Sequence, residues 1–292
     1  MIPAAFEYEA PSSLKEALAL LRKHRDAKLL AGGHSLLPLM KLRMAAPERL
    51  IDLSRLPELA GIRERRGTIV IGAMTRHAEI ESAAIVKERC PLLAETASMI
   101  GDPQVRNRGT IGGSLAHADP AADYPAAVLA LEATLTAVST SGARREIPAR
   151  RFFRGLLTTA LRPTEVLTEI AVPALKRGAG TAYEKFANKA SRFAIVGVAG
   201  IIILDGRGRC SKVSIGITGA GPKAARAARG EASLLGKEPT PEAVARAASL
   251  APAAIGDDAL SDIHASSEFR LHLVDALTRR ALTRAAERAQ GT

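Results

Sequence analysis

The spacing of apolar residues predicts alternating helices and strands over the first 175 residues. One helical face near the N-terminus collects Leu14, Ala17, Leu18 and Leu21. Ser13 and Glu16 add the capping-box pattern that starts a helix at this point. Apolar runs predict strands at residues 28–31, 50–53, 68–72, 135–139 and 166–172, with a polar turn at residues 63–67. Helices are expected at residues 78–83 and 92–100, and another at Pro125, because proline suits the first helical turn.

The pattern changes after residue 173. Residues 173–180 are rich in proline, glycine and lysine and are expected to form a linker. Strands are predicted at residues 183–186, 195–204 and 212–217, and alanine-rich helices at residues 223–235, 241–251 and 268–290. The C-terminal part should therefore form a small antiparallel sheet backed by helices.

Two short segments each contain a glycine pair followed by a hydroxyl residue. The first consists of Ala31, Gly32, Gly33, His34 and Ser35, and the second of Thr110, Ile111, Gly112, Gly113 and Ser114. Because glycine lacks a Cβ atom, such a loop can approach a ligand closely and turn successive N–H groups toward an anion. We expect the amides of residues 32–35 to meet one phosphate of a pyrophosphate. The amides of residues 111–113, with the hydroxyls of Thr110 and Ser114, should meet the other.

A glycine pair is also common in ordinary tight turns, so each segment alone is weak evidence. Neither segment matches G-x-G-x-x-G or G-x-x-x-x-G-K-[ST], which argues against a Rossmann fold and a P-loop. An acidic, proline-containing stretch with Asp119 and Asp123 follows the second segment. Together, the two segments favour a pyrophosphate cradle over two unrelated turns.

Three stretches carry a family resemblance: AGGHSLLPLMKLR (31–43), RNRGTIGGSLAHADPAADYPAAVLAL (106–131) and YEKFANKASRFAIVGVA (183–199). They resemble the FAD-binding subunit of the molybdenum hydroxylases, a family that includes the medium subunit of aerobic carbon monoxide dehydrogenase and the flavin module of xanthine dehydrogenases. The resemblance covers nearly the whole chain. It implies an α+β protein with a two-part N-terminal FAD-binding α/β region of the PCMH type, at residues 1–55 and 56–175. A C-terminal domain with an antiparallel sheet and helices would follow at residues 176–292.

The resemblance also assigns roles around the flavin. It gives Asp123 the task of accepting hydrogen bonds from ribityl hydroxyls, whereas Asp119 could instead cap a turn through its own backbone. Lys185 and Phe193 lie in the motif through which the C-terminal domain reaches the isoalloxazine. The family often has Asp-Tyr or Asp-Phe where this chain has Arg192-Phe193, so Phe193 can contact a flavin only through its ring. Core packing is the alternative role for Phe193.

The histidines do not point to a catalytic residue in this chain. His34 lies inside the first glycine segment, where a backbone role is favoured over catalysis, although imidazole titrates near neutral pH. His117 is expected closer to the flavin ring or just behind it. No catalytic residue and no metal ligand is predicted.

Composition excludes other classes of site. The chain has 292 residues, 47% of them apolar, and a net charge of +11. Its basic residues are scattered and only 3% of residues are aromatic, so we expect no nucleic-acid binding and interpret the charge as solvated surface or as complementary to an acidic partner. Cys90 and Cys210 are too few for an Fe–S cluster or a structural zinc site and should be buried.

No signal peptide or membrane-spanning apolar run is recognisable, which predicts a cytoplasmic protein that partners could hold at the inner face of a membrane. The resemblance implies an electron-transfer subunit with FAD, working with a molybdenum-cofactor large subunit and a 2Fe–2S small subunit as a dimer of heterotrimers. A self-contained flavin oxidase and a non-catalytic anion- or nucleotide-binding module are the alternatives.

Overall fold

The computed structural model describes residues 2–291. A parallel sheet in the order β1-β3-β2 forms the N-terminal part, and its elements are β1 (Glu7–Glu9), α1 (Leu14–Lys23), β2 (Lys28–Leu30), α2 (Leu36–Lys41) and β3 (Arg49–Asp52). The expected cap of α1 is present in part. Ser13 Oγ accepts a hydrogen bond from Glu16 N at 3.2 Å, but the Glu16 carboxylate accepts from Ser12 N at 2.8 Å rather than from Ser13.

The middle part is a five-stranded antiparallel sheet in the order β4-β5-β10-β6-β7. Its strands are β4 (Ile62–Arg65), β5 (Thr68–Gly72), β6 (Thr134–Ser139), β7 (Arg144–Pro148) and β10 (Glu165–Pro173), and β8 (Phe153–Gly155) pairs with β9 (Thr158–Thr159). The helices are α3 (His77–Ser82), α4 (Ala84–Arg89), α5 (Pro91–Ser98), α6 (Pro103–Arg106), α7 (Ile111–His117), α8 (Tyr124–Ala130) and α9 (Ala149–Phe152). Ile71, Ile170 and Leu135 are in register across this sheet and fully buried.

The C-terminal part is a four-stranded antiparallel sheet in the order β11-β12-β13-β14, backed by helices. Its elements are β11 (Ala179–Ala187), β12 (Ala194–Leu204), β13 (Cys210–Thr218), β14 (Ala225–Arg226), α10 (Ala228–Leu234), α11 (Pro241–Ser249) and α12 (Ser267–Gln290). Tyr183 and Ala199 join the apolar core of the middle part, while α12 covers a separate core against β11 and β12. The α+β fold class is confirmed.

Several local predictions need correction. Residues 111–117 form helix α7 rather than a loop, because Thr110 supplies an N-cap. Residues 63–65 belong to strand β4, whose polar side chains lie on a largely exposed edge strand. The helix expected from residue 223 begins only at Ala228, because Ala225 and Arg226 pair with β13. The domain boundaries at residues 55 and 175 stay predictions.

Both cysteines are buried and free, as expected. Burial raises the pKa of the Cys90 thiol to about 12 and that of Cys210 to about 11. Among residues 2–291, no helix combines the length and apolar character needed to cross a membrane.

Candidate functional site

A cleft of about 540 Å³ is lined by residues from all three parts of the chain. This volume is within the range of small-molecule sites. Apolar side chains contribute to the lining and include Leu30, Leu36, Leu39, Leu53 and Val166. All predicted site residues line the cleft except Ile111 and Lys185. Ile111 is fully buried in the core, and Lys185 lies behind the cleft wall.

The first glycine segment offers a row of free donors to the cleft. It connects the end of β2 to the start of α2, and Gly33 has φ +77°, a left-handed conformation that glycine adopts without strain. Within residues 2–291, the backbone N–H groups of Gly32, Gly33, His34 and Ser35 donate no hydrogen bond. Buried or half-buried N–H groups normally find a partner, so four successive free amides indicate an anion site.

Gly32 also has a packing reason to lack a side chain. A Cβ atom there would lie 2.4 Å from the Arg108 carbonyl oxygen and 2.6 Å from Gly109 Cα. The first glycine segment therefore rests directly on the backbone that leads into α7. This contact brings the two glycine segments side by side in the lining of one cleft.

The second glycine segment uses its amides inside the protein. Thr110 Oγ1 accepts from Gly113 N at 3.1 Å, and Gly112 N donates to the Ala73 carbonyl at 2.8 Å. Ile111 N donates to the Thr75 carbonyl at 3.1 Å. The expectation that these three amides meet a phosphate is therefore corrected. A Cβ on Gly112 would lie 2.5 Å from Ala73 Cβ, so this glycine is required for helix packing.

A buried network of polar side chains surrounds Asp123. This carboxylate accepts from the Tyr183 hydroxyl at 2.6 Å and from Lys185 Nζ at 2.9 Å, while Lys185 Nζ also donates to the Met99 carbonyl at 3.0 Å. Burial raises the pKa of Asp123, and the Lys185 ammonium and the Tyr183 hydroxyl oppose that rise. Lys185 thus orients Asp123 from behind and is not itself a cleft residue.

Tyr183 was not singled out from the sequence, although a signal was present. Residues 183 and 185 are two positions apart on β11, so their side chains point to the same face of the sheet. Both reach Asp123 for that reason. Burial and the adjacent Asp123 charge raise the pKa of Tyr183 well above its ordinary value.

The remaining predicted residues have distinct positions. Phe193 is 42% exposed and lines the cleft, which excludes the alternative that it is a core residue. Asp119 Oδ1 accepts from Ala121 N at 2.8 Å, the turn-capping role considered for it. His34 Nδ1 lies 3.1 Å from the Gly32 carbonyl oxygen, and His117 lines the cleft near the C-terminal end of α7.

His77 is a further cleft residue that the sequence did not reveal. Its ring packs against Tyr124 with centroids 5.2 Å apart, and a Cβ on Gly109 would lie 2.6 Å from its Nε2 atom. Burial, with smaller contributions from His34 and Arg106, lowers the pKa of His77 to about 3. His77 is therefore neutral and supports the backbone that carries both glycine segments.

The donor set fits FAD. The free amides of residues 32–35 suit a pyrophosphate, the oriented Asp123 carboxylate suits a hydroxyl donor, and Phe193 offers an aromatic ring in the cleft lining. No group of three or more His, Cys, Asp or Glu side chains within residues 2–291 is arranged to hold a metal ion.

Family models match both parts of the chain. Residues 4–175 match the FAD binding domain in molybdopterin dehydrogenase, and residues 181–285 match the CO dehydrogenase flavoprotein C-terminal domain. The chain is 48% identical over 286 residues to the carbon monoxide dehydrogenase medium chain of Hydrogenophaga pseudoflava, which covers 98% of both proteins. It is 40% identical to subunit alpha of the 6-hydroxypseudooxynicotine dehydrogenase complex of Paenarthrobacter nicotinovorans, over 100% of this chain and 98% of the relative.

Solved structures agree with the family models. A carbon monoxide dehydrogenase structure from Hydrogenophaga pseudoflava superimposes with a TM-score of 0.95 at 49% identity and covers 99% of both chains. The sequence similarity and the fold thus extend over the same full length. The chain therefore belongs to the FAD-binding medium subunits of the molybdenum hydroxylases and is an oxidoreductase subunit with FAD as its cofactor.

Proposed function

We propose that this chain is the electron-transfer subunit of a molybdenum hydroxylase. FAD supplies the redox chemistry: electrons from a molybdenum-cofactor large subunit reach it through the 2Fe–2S clusters of a small subunit and pass to an external acceptor. The observation that carries the proposal is that the row of four free amides and the buried Asp123 network line one cleft.

In this proposal each cleft residue has a binding role. The amides of Gly32, Gly33, His34 and Ser35 hold the pyrophosphate. The hydroxyl of Ser114 supports it from the second segment, whose own amides are engaged. Asp123, held by Tyr183 and Lys185, accepts from the ribityl chain. Phe193 packs by its ring at the flavin end and excludes water there.

The division of labour between subunits follows from the cysteine content. A 2Fe–2S cluster is held by four protein ligands, commonly cysteine thiolates, and this chain has only Cys90 and Cys210. Both are buried, and neither lines the cleft. The clusters therefore belong to a partner, and we expect a dimer of heterotrimers.

FAD is expected to bind without a covalent bond. Because Cys90 and Cys210 do not line the cleft, neither thiol can attach FAD, and acid precipitation should release FAD intact.

Copurification tests this proposal. The chain is co-expressed with a molybdenum subunit and a 2Fe–2S subunit, and the mass of the purified complex is measured by light scattering. We expect a complex that contains all three subunits and FAD, with the mass of two heterotrimers. A chain that purifies alone with FAD and oxidises a substrate without either partner would instead establish the self-contained flavin oxidase.

A further inference from the structure

The imidazole of His77 lines the FAD cleft but has no hydrogen-bond partner among residues 2–291. The residue is only 5% exposed, and its Nδ1 atom is fully enclosed. The large majority of buried side-chain polar atoms are hydrogen-bonded, so each exception calls for an explanation. An unpartnered, buried imidazole in the wall of a cofactor cleft indicates a contact with the cofactor.

Two contacts fix His77 beside the first glycine segment. Its backbone N–H donates to the Gly109 carbonyl at 3.0 Å. A Cβ on Gly109 would lie 2.6 Å from His77 Nε2, and a Cβ on Gly32 would lie 2.6 Å from Gly109 Cα. Gly109 thus lies between the imidazole and Gly32, the first residue in the row of free amides.

The surroundings of the ring determine which nitrogen carries the proton. Nδ1 is enclosed with no acceptor, and a buried N–H group without an acceptor is rare in proteins. The proton of the neutral ring therefore resides on Nε2. The ring packs against Tyr124 with centroids 5.2 Å apart, which restricts its rotation. Since His77 lines the cleft and Nδ1 is enclosed, Nε2–H is the group that can donate to a bound molecule.

The imidazole can serve as a donor without carrying a charge. Burial, with smaller contributions from His34 and Arg106, lowers the pKa of His77 to about 3, so the ring is neutral at neutral pH. Arg106 is itself engaged, because its Nε donates to Glu81 at 2.7 Å and its Nη1 donates to the Ile100 carbonyl at 2.7 Å. The cation that lies near His77 is therefore already paired, while the imidazole is free to donate.

We propose that His77 Nε2–H donates a hydrogen bond to the pyrophosphate of FAD, beside the backbone amides of residues 32–35. This inference rests on the proposed function, which assigns the pyrophosphate to those amides. It adds a side-chain donor from α3 to the backbone donors of the loop between β2 and α2. No proton is transferred, and the imidazole stays neutral.

Two variants separate the donor from the aromatic ring. His77→Phe keeps a ring against Tyr124 and removes the donor, whereas His77→Gln loses the ring and keeps a side-chain N–H. Equilibrium dialysis of FAD against the flavin-free full chain should give a Kd about tenfold higher for His77→Phe, the loss of one hydrogen bond. The Kd of His77→Gln should stay within about threefold of the parent value. His272→Phe is the control, because His272 is exposed on α12.

Competition with ADP identifies the part of FAD that His77 contacts. ADP has a pyrophosphate but no isoalloxazine, so His77→Phe should raise the Kd of ADP by the same factor as that of FAD. An effect on FAD alone would overturn the inference, because His77 would then contact the flavin half.

Two further results would overturn the inference: an FAD Kd unchanged in His77→Phe, or weaker binding in His77→Gln than in His77→Phe. The second result would mean that the ring contributes only by packing. In either case the assignment of the pyrophosphate to the amides stands if Gly33→Ala still weakens FAD binding. A chain that binds no FAD would contradict the proposed function instead.

Discussion

A single buried carboxylate links two parts of the chain at the residue scale. Asp123 begins α8 of the middle part, whereas its two partners, Tyr183 and Lys185, belong to β11 of the C-terminal part. All three side chains are almost fully buried. A buried charge is tolerated only when it is paired and hydrogen-bonded, so the C-terminal sheet fixes the charge state of a cleft residue.

Lys185→Met should lower the free energy of unfolding by about 3–5 kcal/mol, because Asp123 would be left as an uncompensated buried charge. FAD affinity should fall as well, since the carboxylate would rise in pKa and lose its orientation. Urea unfolding and equilibrium dialysis of FAD measure the two effects. The double variant Asp123→Asn, Lys185→Met should recover part of the stability, and a Lys185→Met variant as stable as the parent would contradict the network.

His77 gives the stability of the protein a defined pH dependence. Its folded-state pKa of about 3 lies below the ordinary value of about 6.5, so the unfolded chain takes up this proton first as the pH falls. The contribution of His77 to the free energy of unfolding is complete above about pH 6.5. As the pH falls toward 3, this contribution is lost by up to about 1.4 kcal/mol per pH unit.

His77→Phe keeps a ring against Tyr124 and removes the titrating group. The free energy of unfolding, measured in urea between pH 7.5 and pH 4.5, should therefore fall less steeply with acid in this variant than in the parent. His272→Phe is the control, because His272 is exposed on α12. Equal slopes for the parent and His77→Phe would show that folding does not lower the pKa of His77.

At the scale of elements, the two glycine segments play different roles despite similar sequences. The first connects a strand to a short helix and leaves its amides free, while the second is the capped first turn of α7. The difference arises from Thr110, which accepts from Gly113 N, and from the carbonyls of residues 73 and 75. Only the first segment can present backbone donors to a pyrophosphate.

Gly33→Ala should weaken FAD binding roughly tenfold, the effect of one lost hydrogen bond of about 1.4 kcal/mol. The substitution strains a backbone with φ +77° by about 1–2 kcal/mol and shifts the adjacent amides. Gly67→Ala is the matched control, since Gly67 has φ +74°, open space around it and no place in the cleft. FAD dialysis and urea unfolding should show similar stability losses but weaker FAD binding only for Gly33→Ala.

His34→Ala should retain FAD, because only the backbone of residue 34 is assigned to the pyrophosphate. Loss of FAD in His34→Ala together with normal binding in Gly33→Ala would refute the backbone cradle. Gly112 is unsuitable for this comparison. A side chain there would collide with Ala73 and disturb the fold itself.

The sequence pattern predicted the strands whose apolar residues form a strong local pattern. It did not reveal the residues whose roles depend on tertiary contacts. Residues 68–72 form a strand as predicted, because their apolar run is bounded by turns. The glycine pair at 112–113 looked like a loop, since nothing local shows that the Ala73 carbonyl accepts from Gly112 N and the Thr75 carbonyl from Ile111 N. Tyr183 and His77 were missed for the same reason: their partners, Asp123 and Gly109, are 60 and 32 residues away in the chain.

At the scale of the whole molecule, the C-terminal part contacts the FAD-binding region through ion pairs as well as through apolar packing. Glu95 of α5 accepts from Arg284 at 3.1 Å and from Arg288 at 2.9 Å, both on α12, and from Tyr183 N at 3.3 Å. These contacts hold the Tyr183 and Lys185 strand in place beside the cleft. Residues from all three parts of the chain therefore line the proposed FAD site.

The excess of positive charge bears on how the whole molecule associates with partner subunits. The basic residues behind the net charge of +11 are scattered along the sequence, and this excess of positive charge would suit acidic partner subunits. The proposed function requires such partners, because electrons must reach the flavin from clusters that this chain does not hold. We therefore expect the substrate to reduce the flavin only when this chain is part of the complex.

Anaerobic stopped-flow absorbance at 450 nm measures directly whether the flavin is reduced. The FAD-loaded chain, alone and in complex with the molybdenum and 2Fe–2S subunits, is mixed separately with carbon monoxide, benzaldehyde and xanthine. We expect bleaching of the flavin by at least one of these substrates in the complex and none in the isolated chain. Bleaching of the isolated chain at the rate seen in the complex would contradict this expectation.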